Sequence, residues 1–134
     1  MSQRTERAGA RAQNARMDTQ TILFVACVLF GVAAAGGIVM ALIRLGKKAN
    51  PPHWIAMLHG FIAAAGVTLL AYVTIFSHVP DLAHIGLLAL LLAAIGGVWM
   101  NLGRHQHGVL IPNAVMIGHA LVAVAGVALL LLAL

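Results

Sequence analysis

Residues 52–70 read PHWIAMLHGFIAAAGVTLL, and residues 112–130 read PNAVMIGHALVAVAGVALL. Each stretch opens on a proline, places a histidine seven residues later (His59 and His119), and continues apolar past a glycine at Gly66 or Gly126. The match runs well beyond these windows. Residues 21–74 laid over 81–134 without a gap give 15 identities in 54 positions, at a constant offset of 60. An Ala- and Leu-rich composition supplies some of these by chance. It does not readily supply Gly36-Gly37 with Gly96-Gly97, Met40 with Met100, or Arg44 with Arg104. Self-similarity at a fixed period is the mark of one supersecondary unit used twice.

The unit is a pair of membrane spans. Residues 21–43, 54–76, 82–102 and 109–134 each exceed 20 residues without a Lys, Arg, Asp or Glu, and about 20 apolar residues cross a hydrocarbon layer of about 30 Å. Across all 134 residues, 62% are hydrophobic and 8% charged, with a mean hydropathy of +1.00. Soluble domains carry about a quarter charged residues, so disorder and most soluble folds are excluded. The formal charge of +5 is not gathered into the basic stripe that nucleic-acid binding requires, so no nucleic-acid partner is expected. Pro51 and Pro52 open the second span, Pro80 and Asp81 start the third, and Pro112 falls in the first turn of the fourth. Short links make successive spans antiparallel neighbours. The expected fold class is therefore an all-α integral membrane protein, a four-helix up-down-up-down bundle built from a duplicated two-helix hairpin. Two spans per unit leave both copies in one orientation, related by a pseudo-twofold axis along the membrane normal.

Residues 1–19 are expected to be a polar, Arg-rich, mobile tail ahead of the bundle at 20–134, with Arg4, Arg7, Arg11 and Arg16 set among Ala, Gln and Ser. Arginines followed by an apolar run ending in Ala33-Ala34-Ala35 resemble a cleavable signal segment, but the repeat includes this span and argues against cleavage. Met17 offers a second start. Arg44, Lys47, Lys48 and Arg104 mark the side of the first and third loops, and the tail arginines mark the other. With the tail set aside, these loops are expected to be cytoplasmic, in a bacterial inner membrane. Cys27, the one cysteine, lies inside a span, where it reads as a small apolar residue.

An ionisable residue inside a span faces the bundle interior and needs a partner. His59 and His119 stand at equal depth, about 10 Å along the helix from their prolines, on helices that an antiparallel bundle places diagonally. Gly36, Gly37, Gly96 and Gly97 stand at the same depth on the other diagonal, where glycine leaves room for a flat body between the imidazoles. Gly37, Met40 and Arg44 share one helix face, as do Gly97, Met100 and Arg104, and each arginine lies about 10 Å toward the loops, within reach of carboxylates at a polar edge. His59, Ala63, Gly66 and His119, Ala123, Gly126 continue the stripe with small residues that admit a ring or a neighbouring helix.

Two neutral imidazoles, small residues around a ring and cations near carboxylates are the parts of a b-type haem site. In these features the chain resembles membrane b-type cytochromes that hold haem between histidines of different helices, among them the six-helix ascorbate-dependent cytochromes and the haem-bearing anchors of succinate dehydrogenase. It departs from the six-helix family in carrying one repeated histidine pair: His84 aligns with Phe24. The resemblance implies one haem b per chain, with His59 and His119 as metal ligands and Gly36, Gly37, Met40, Arg44, Ala63, Gly66, Gly96, Gly97, Met100, Arg104, Ala123 and Gly126 around it. It implies electron transfer with a quinone, a redox partner protein or a larger membrane complex, in a chain that is lipid-embedded and either alone or a homo-oligomer. Against this stand a pair of neutral histidines bonded to backbone carbonyls or to each other, a bare metal ion or other cofactor, and a non-catalytic structural or assembly subunit whose small residues pack helices. His53, His105 and His107 at the loop end and His78, Asp81 and His84 at the other read as solvated side chains and a helix start. No acid–base pair, nucleophile motif or phosphate loop is present, so a stand-alone enzyme is not the first reading.

Overall fold

Pro52, Pro80 and Pro112 each stand immediately before a helix with an extended ψ near 137°, 150° and 135°. A proline lacks only an N–H that the first turn leaves unpaired in any case, so each is placed where it costs nothing. The structure, a computed structural model, describes residues 2–134; Met1 and the side chains of residues 2, 4–6, 8, 10, 12 and 15, Arg4 among them, lie outside the described residues. Its elements are α1 (Ser2–Lys47), α2 (His53–Phe76), α3 (Asp81–Gly103), a single 3-10 turn (His105–His107) and α4 (Asn113–Leu131). The described residues contain no strand. Four helices are long and apolar enough to cross a membrane, the relevant part of α1 being Arg16–Lys47. Even α4, with 19 residues, is about 28 Å long at about 1.5 Å per residue.

Two boundaries differ from expectation. The Arg-rich stretch read as a tail is helical and continuous with α1 from Ser2, and its Arg7, Arg11 and Arg16 are exposed; its alanine, arginine and glutamine residues are strong helix formers. The fourth helix starts at Asn113 and not near residue 109. Ile111 is kept out of the helical region by the proline after it, and residues 109–111 are engaged elsewhere: the Asn50 amide donates to the Val109 carbonyl at 2.9 Å and accepts from the Ile111 N–H at 3.2 Å. Asp81 is the first residue of α3 and complements its N-terminal dipole, with no side-chain cap bond at that start.

α1 packs chiefly on α2 and α3 on α4, with smaller contacts between α2 and α3 and between α1 and α4. The helices thus form a ring in chain order, and α2 lies across from α4. Both links from the first and third helices turn through a left-handed residue, Lys48 (φ 51°) and Gly108 (φ 68°), and the two links meet at one end through Asn50. The well-packed core is at the other end: Leu23, Ala26, Phe30, Leu70, Val73, Ala83, Leu90, Leu130 and Ala133 form one buried cluster. Outward-facing Phe61, Ile95 and Leu121 are about two-thirds exposed (66%, 68% and 65%), a surface that suits lipid and not water. The Thr68 and Thr74 hydroxyls are satisfied within α2 by carbonyls one turn back.

Candidate functional site

The loop-side half of the ring is lined differently from the core end. The inward stripe there consists of Gly36, Gly37, Met40, Ala63, Gly96, Gly97 and Ala123, all half-buried, and the two histidines. His59 leans from α2 onto α1, where its Nδ1–H donates to the Ala33 carbonyl at 2.8 Å. His119 leans from α4 onto α3 in the same way, donating to the Ala93 carbonyl at 2.9 Å. Glycine permits both approaches. A Cβ at Gly37 would lie 3.4 Å from the His59 Cε1, and one at Gly97 3.2 Å from the His119 Cε1; Cβ atoms at Gly36 and Gly96 would each lie 3.9 Å from Nδ1 of the same two rings.

A carbonyl only accepts, so Nδ1 of each neutral ring carries the proton and Nε2 carries the lone pair. Among the described residues neither Nε2 takes part in a hydrogen bond. The two rings face across the bundle with centroids 6.3 Å apart and planes inclined at 67°. Two acceptor nitrogens cannot bond each other, and each can take a proton or a metal ion. A metal held by both at about 2 Å, with about 1 Å more from each nitrogen to its ring centre, needs centroids about 6 Å apart. The ring donating its second nitrogen to a backbone carbonyl is also the usual support of a ligating histidine. Among the described residues no three His, Cys, Asp or Glu side chains converge, so a bare ion would find two protein ligands, whereas a haem brings four nitrogens and asks for two.

The remaining residues divide. Met100 is buried and Met40 half-buried, one turn nearer the loops than the glycine pairs. Arg44 Nε donates to the Ile111 carbonyl at 3.0 Å, and Arg104 donates to the Leu110 carbonyl at 3.3 Å while its guanidinium lies 5.6 Å over the Trp99 ring. Each guanidinium has five N–H donors, so these bonds leave capacity for further acceptors. Gly66 and Gly126 are buried beneath the neighbouring helix: added Cβ atoms would stand 2.9 Å from the Phe30 ring and 2.8 Å from the Leu90 Cγ. These two glycines form the floor of the site and admit helix contacts, whereas Ala63 and Ala123 lie between floor and histidine.

Several participants gave no signal in the sequence. The Ala33 and Ala93 carbonyls are backbone groups, and their only trace is the glycine pair one turn on. His105, expected to be a solvated loop side chain, is instead half-buried, its Nε2–H donating to the Pro51 carbonyl at 2.9 Å and its ring 5.1 Å from that of His53. Asn101 donates to the Met57 sulfur at 3.5 Å; its one visible sign is a polar residue at a position matched by Ala41. His78, His84 and His107 are exposed. No family model matches the chain, and no curated protein or solved structure matches it.

Proposed function

We propose that the chain is a membrane-embedded b-type cytochrome or cytochrome-like subunit that holds one haem b between His59 and His119 and exchanges electrons with a quinone or a redox partner. The observation that carries this is the pair of imidazoles 6.3 Å apart, each tied at Nδ1 to a carbonyl of the adjacent helix and each keeping Nε2 for a metal. The repeat of this arrangement at an offset of 60 supports reading the bundle as a duplicated hairpin with antiparallel neighbours, in which α1 with α2 and α3 with α4 supply equivalent halves of one site. When bound, the haem supplies a one-electron couple. His59 and His119 would hold it through Nε2, Gly37 and Gly97 would give their rings room, and Arg44 and Arg104 would meet its carboxylates at the loop end. With both histidines as its protein ligands the group would supply electron transfer and not oxygen chemistry.

The competing reading, a structural or assembly subunit, draws on Gly66 and Gly126, which serve helix contact. The two readings separate in one experiment. Purified, haem-reconstituted protein should have a sharp Soret band and, on dithionite reduction, the α and β bands of six-coordinate low-spin haem, and His59→Ala or His119→Ala should abolish or convert them. His84→Ala and His105→Ala should leave them unchanged. A reconstituted sample without these bands, tolerant of His59→Ala, would return the chain to the structural class.

A further inference from the structure

His53 and His105 come from different copies of the repeat, and neither is itself repeated: Asn113 stands at the position matching His53, and Leu45 at the one matching His105. The fold nevertheless brings their rings to 5.1 Å between centroids, with planes inclined at 60°. His53 is the first residue of α2 and His105 opens the 3-10 turn after α3. The pair therefore joins the two hairpins at the loop end. Both rings and Gln106 line a hollow of about 310 Å³.

The ring nitrogens there can accept. His105 Nε2–H is committed to the Pro51 carbonyl, so Nδ1 of the neutral ring carries the lone pair. Among the described residues neither nitrogen of His53 takes part in a hydrogen bond, and one of them carries a lone pair in the neutral ring. Two imidazoles bonded in line through an N–H would stand with their centres about 5 Å apart, but no hydrogen bond joins these two. A chelated ion gives the same separation in another way. A metal lies about 2 Å from each nitrogen and each nitrogen about 1 Å from its ring centre, so ligands on opposite sides of an ion have centres about 6 Å apart, and ligands at the tetrahedral angle of about 109° have centres about 5 Å apart. The first figure is close to the 6.3 Å of His59 and His119, the second to the 5.1 Å found here.

The donor set selects the ion. A ring whose second nitrogen donates to a backbone carbonyl, as in His105, is the usual form of a ligating histidine. Among the described residues no three His, Cys, Asp or Glu side chains converge, so the four positions are filled by two imidazoles, the Gln106 amide oxygen and water. Residues 44–54 and 99–113 contain no Asp or Glu, which disfavours calcium and magnesium, ions that seek carboxylate oxygen. Imidazole suits zinc, copper and nickel, and the tetrahedral angle favours zinc.

We propose that His53 and His105, with Gln106, bind one zinc(II) ion at the loop end and that the ion ties α2 to the turn after α3. The contact between the hairpins is smaller than that within either, and the buried cluster lies at the other end. A metal bonded to both hairpins supplies a cross-link where packing supplies little. The site is separate from the haem histidines and does not depend on the cytochrome reading.

The test is a calorimetric titration of the full chain, free of any polyhistidine tag, in nanodiscs with zinc chloride, corrected with empty discs. A zinc K-edge absorption spectrum is recorded on the loaded sample. The expected result is one zinc per chain with imidazole scattering at about 2.0 Å, and a melting temperature that rises with zinc and falls back with EDTA. His53→Ala and His105→Gln should each weaken zinc binding at least about tenfold, since even the loss of a group supporting a ligand costs about 10–100-fold. His53→Cys returns a zinc ligand and should bind more tightly than His53→Ala. His59→Ala and His107→Gln should bind as the parent does. No heat beyond empty discs, a zinc spectrum without imidazole, or an affinity unchanged by His53→Ala would each overturn the proposal and leave the two rings an aromatic contact only. The first two are read on the unaltered protein, whatever the yield of a variant. Zinc lodged at the haem histidines would be lost in His59→Ala and kept in His53→Ala, which also overturns the proposal. A failure of the cytochrome reading is seen separately, as missing low-spin bands.

Discussion

The closest fit in the site is between Gly97 and His119, and it makes a graded prediction. A Cβ at position 97 would lie 3.2 Å from the His119 Cε1, against 3.4 Å for the same atom at position 37 and the His59 Cε1. The second distance is ordinary van der Waals contact, whereas the first requires the ring to move by a few tenths of an ångström. Metal–ligand distances hold to within about 0.2 Å, so that movement is comparable with what ligation tolerates. Alanine for glycine within a helix gains about 0.5–1 kcal/mol from the unfolded state. Gly37→Ala should then hold haem as the parent does and melt slightly higher in detergent. Gly97→Ala should gain the same helix term but return part of it at His119, with shifted α and β bands. Gly97→Leu adds a branched side chain where none fits; overpacking of this kind costs about 1–3 kcal/mol, which is about five- to 150-fold in haem retention. The assay is transfer of haem to excess apomyoglobin, followed at the Soret maximum, beside the reduced-minus-oxidised spectrum. Gly97→Leu protein that retains haem at the parent rate with unshifted bands would refute the claim that glycine is there to seat the imidazole.

Three further outcomes follow from the same geometry. Gly126→Ala brings a methyl to 2.8 Å from Leu90 Cγ and 3.2 Å from the Gly86 carbonyl; it should destabilise the protein in detergent by about 1–3 kcal/mol less the helix gain, read as a lower melting temperature, without moving the haem bands, and Leu90→Ala should restore part of the loss. On the proposed cytochrome reading, replacing both Arg44 and Arg104 with Gln should speed haem loss while the holoprotein that remains stays low-spin, because His59 and His119 are untouched; an unchanged loss rate would confine these arginines to the Ile111 and Leu110 carbonyls they already hold. Cysteine labels at positions 48 and 106 should react from one side of the membrane and a label at 78 from the other; opposite sidedness for 48 and 106 would undo the duplicated hairpin.

Some of this molecule is legible along the chain because it depends on local chemistry. Apolar length sets four helices, since a bilayer-spanning segment must satisfy its backbone internally. Three prolines set three helix starts, since each locks φ and lacks an N–H. A repeat at a constant offset places His59 and His119 at equal depth and sets glycine pairs opposite them, because depth along a helix is a count of residues. Azimuth is not such a count. Which neighbour a face meets depends on how each helix is rotated against the others, and that is decided by all side chains at once. The tertiary structure therefore assigns Gly37 and Gly97 to the histidine rings, whereas the sequence reading set them at the edge of a ring between the other two helices. It also gives Gly66 and Gly126 to Phe30 and Leu90. Asn50, Arg44 and His105 find backbone partners up to 67 residues away, contacts that no local pattern encodes. Asn101 was one polar letter in an apolar run until the fold buried its oxygen beside a sulfur. What the chain alone determined is the set of helices and the depth of each group; the packing decided which groups meet, because a hydrogen bond or a metal site needs two partners at one point in space and sequence distance is silent about that point.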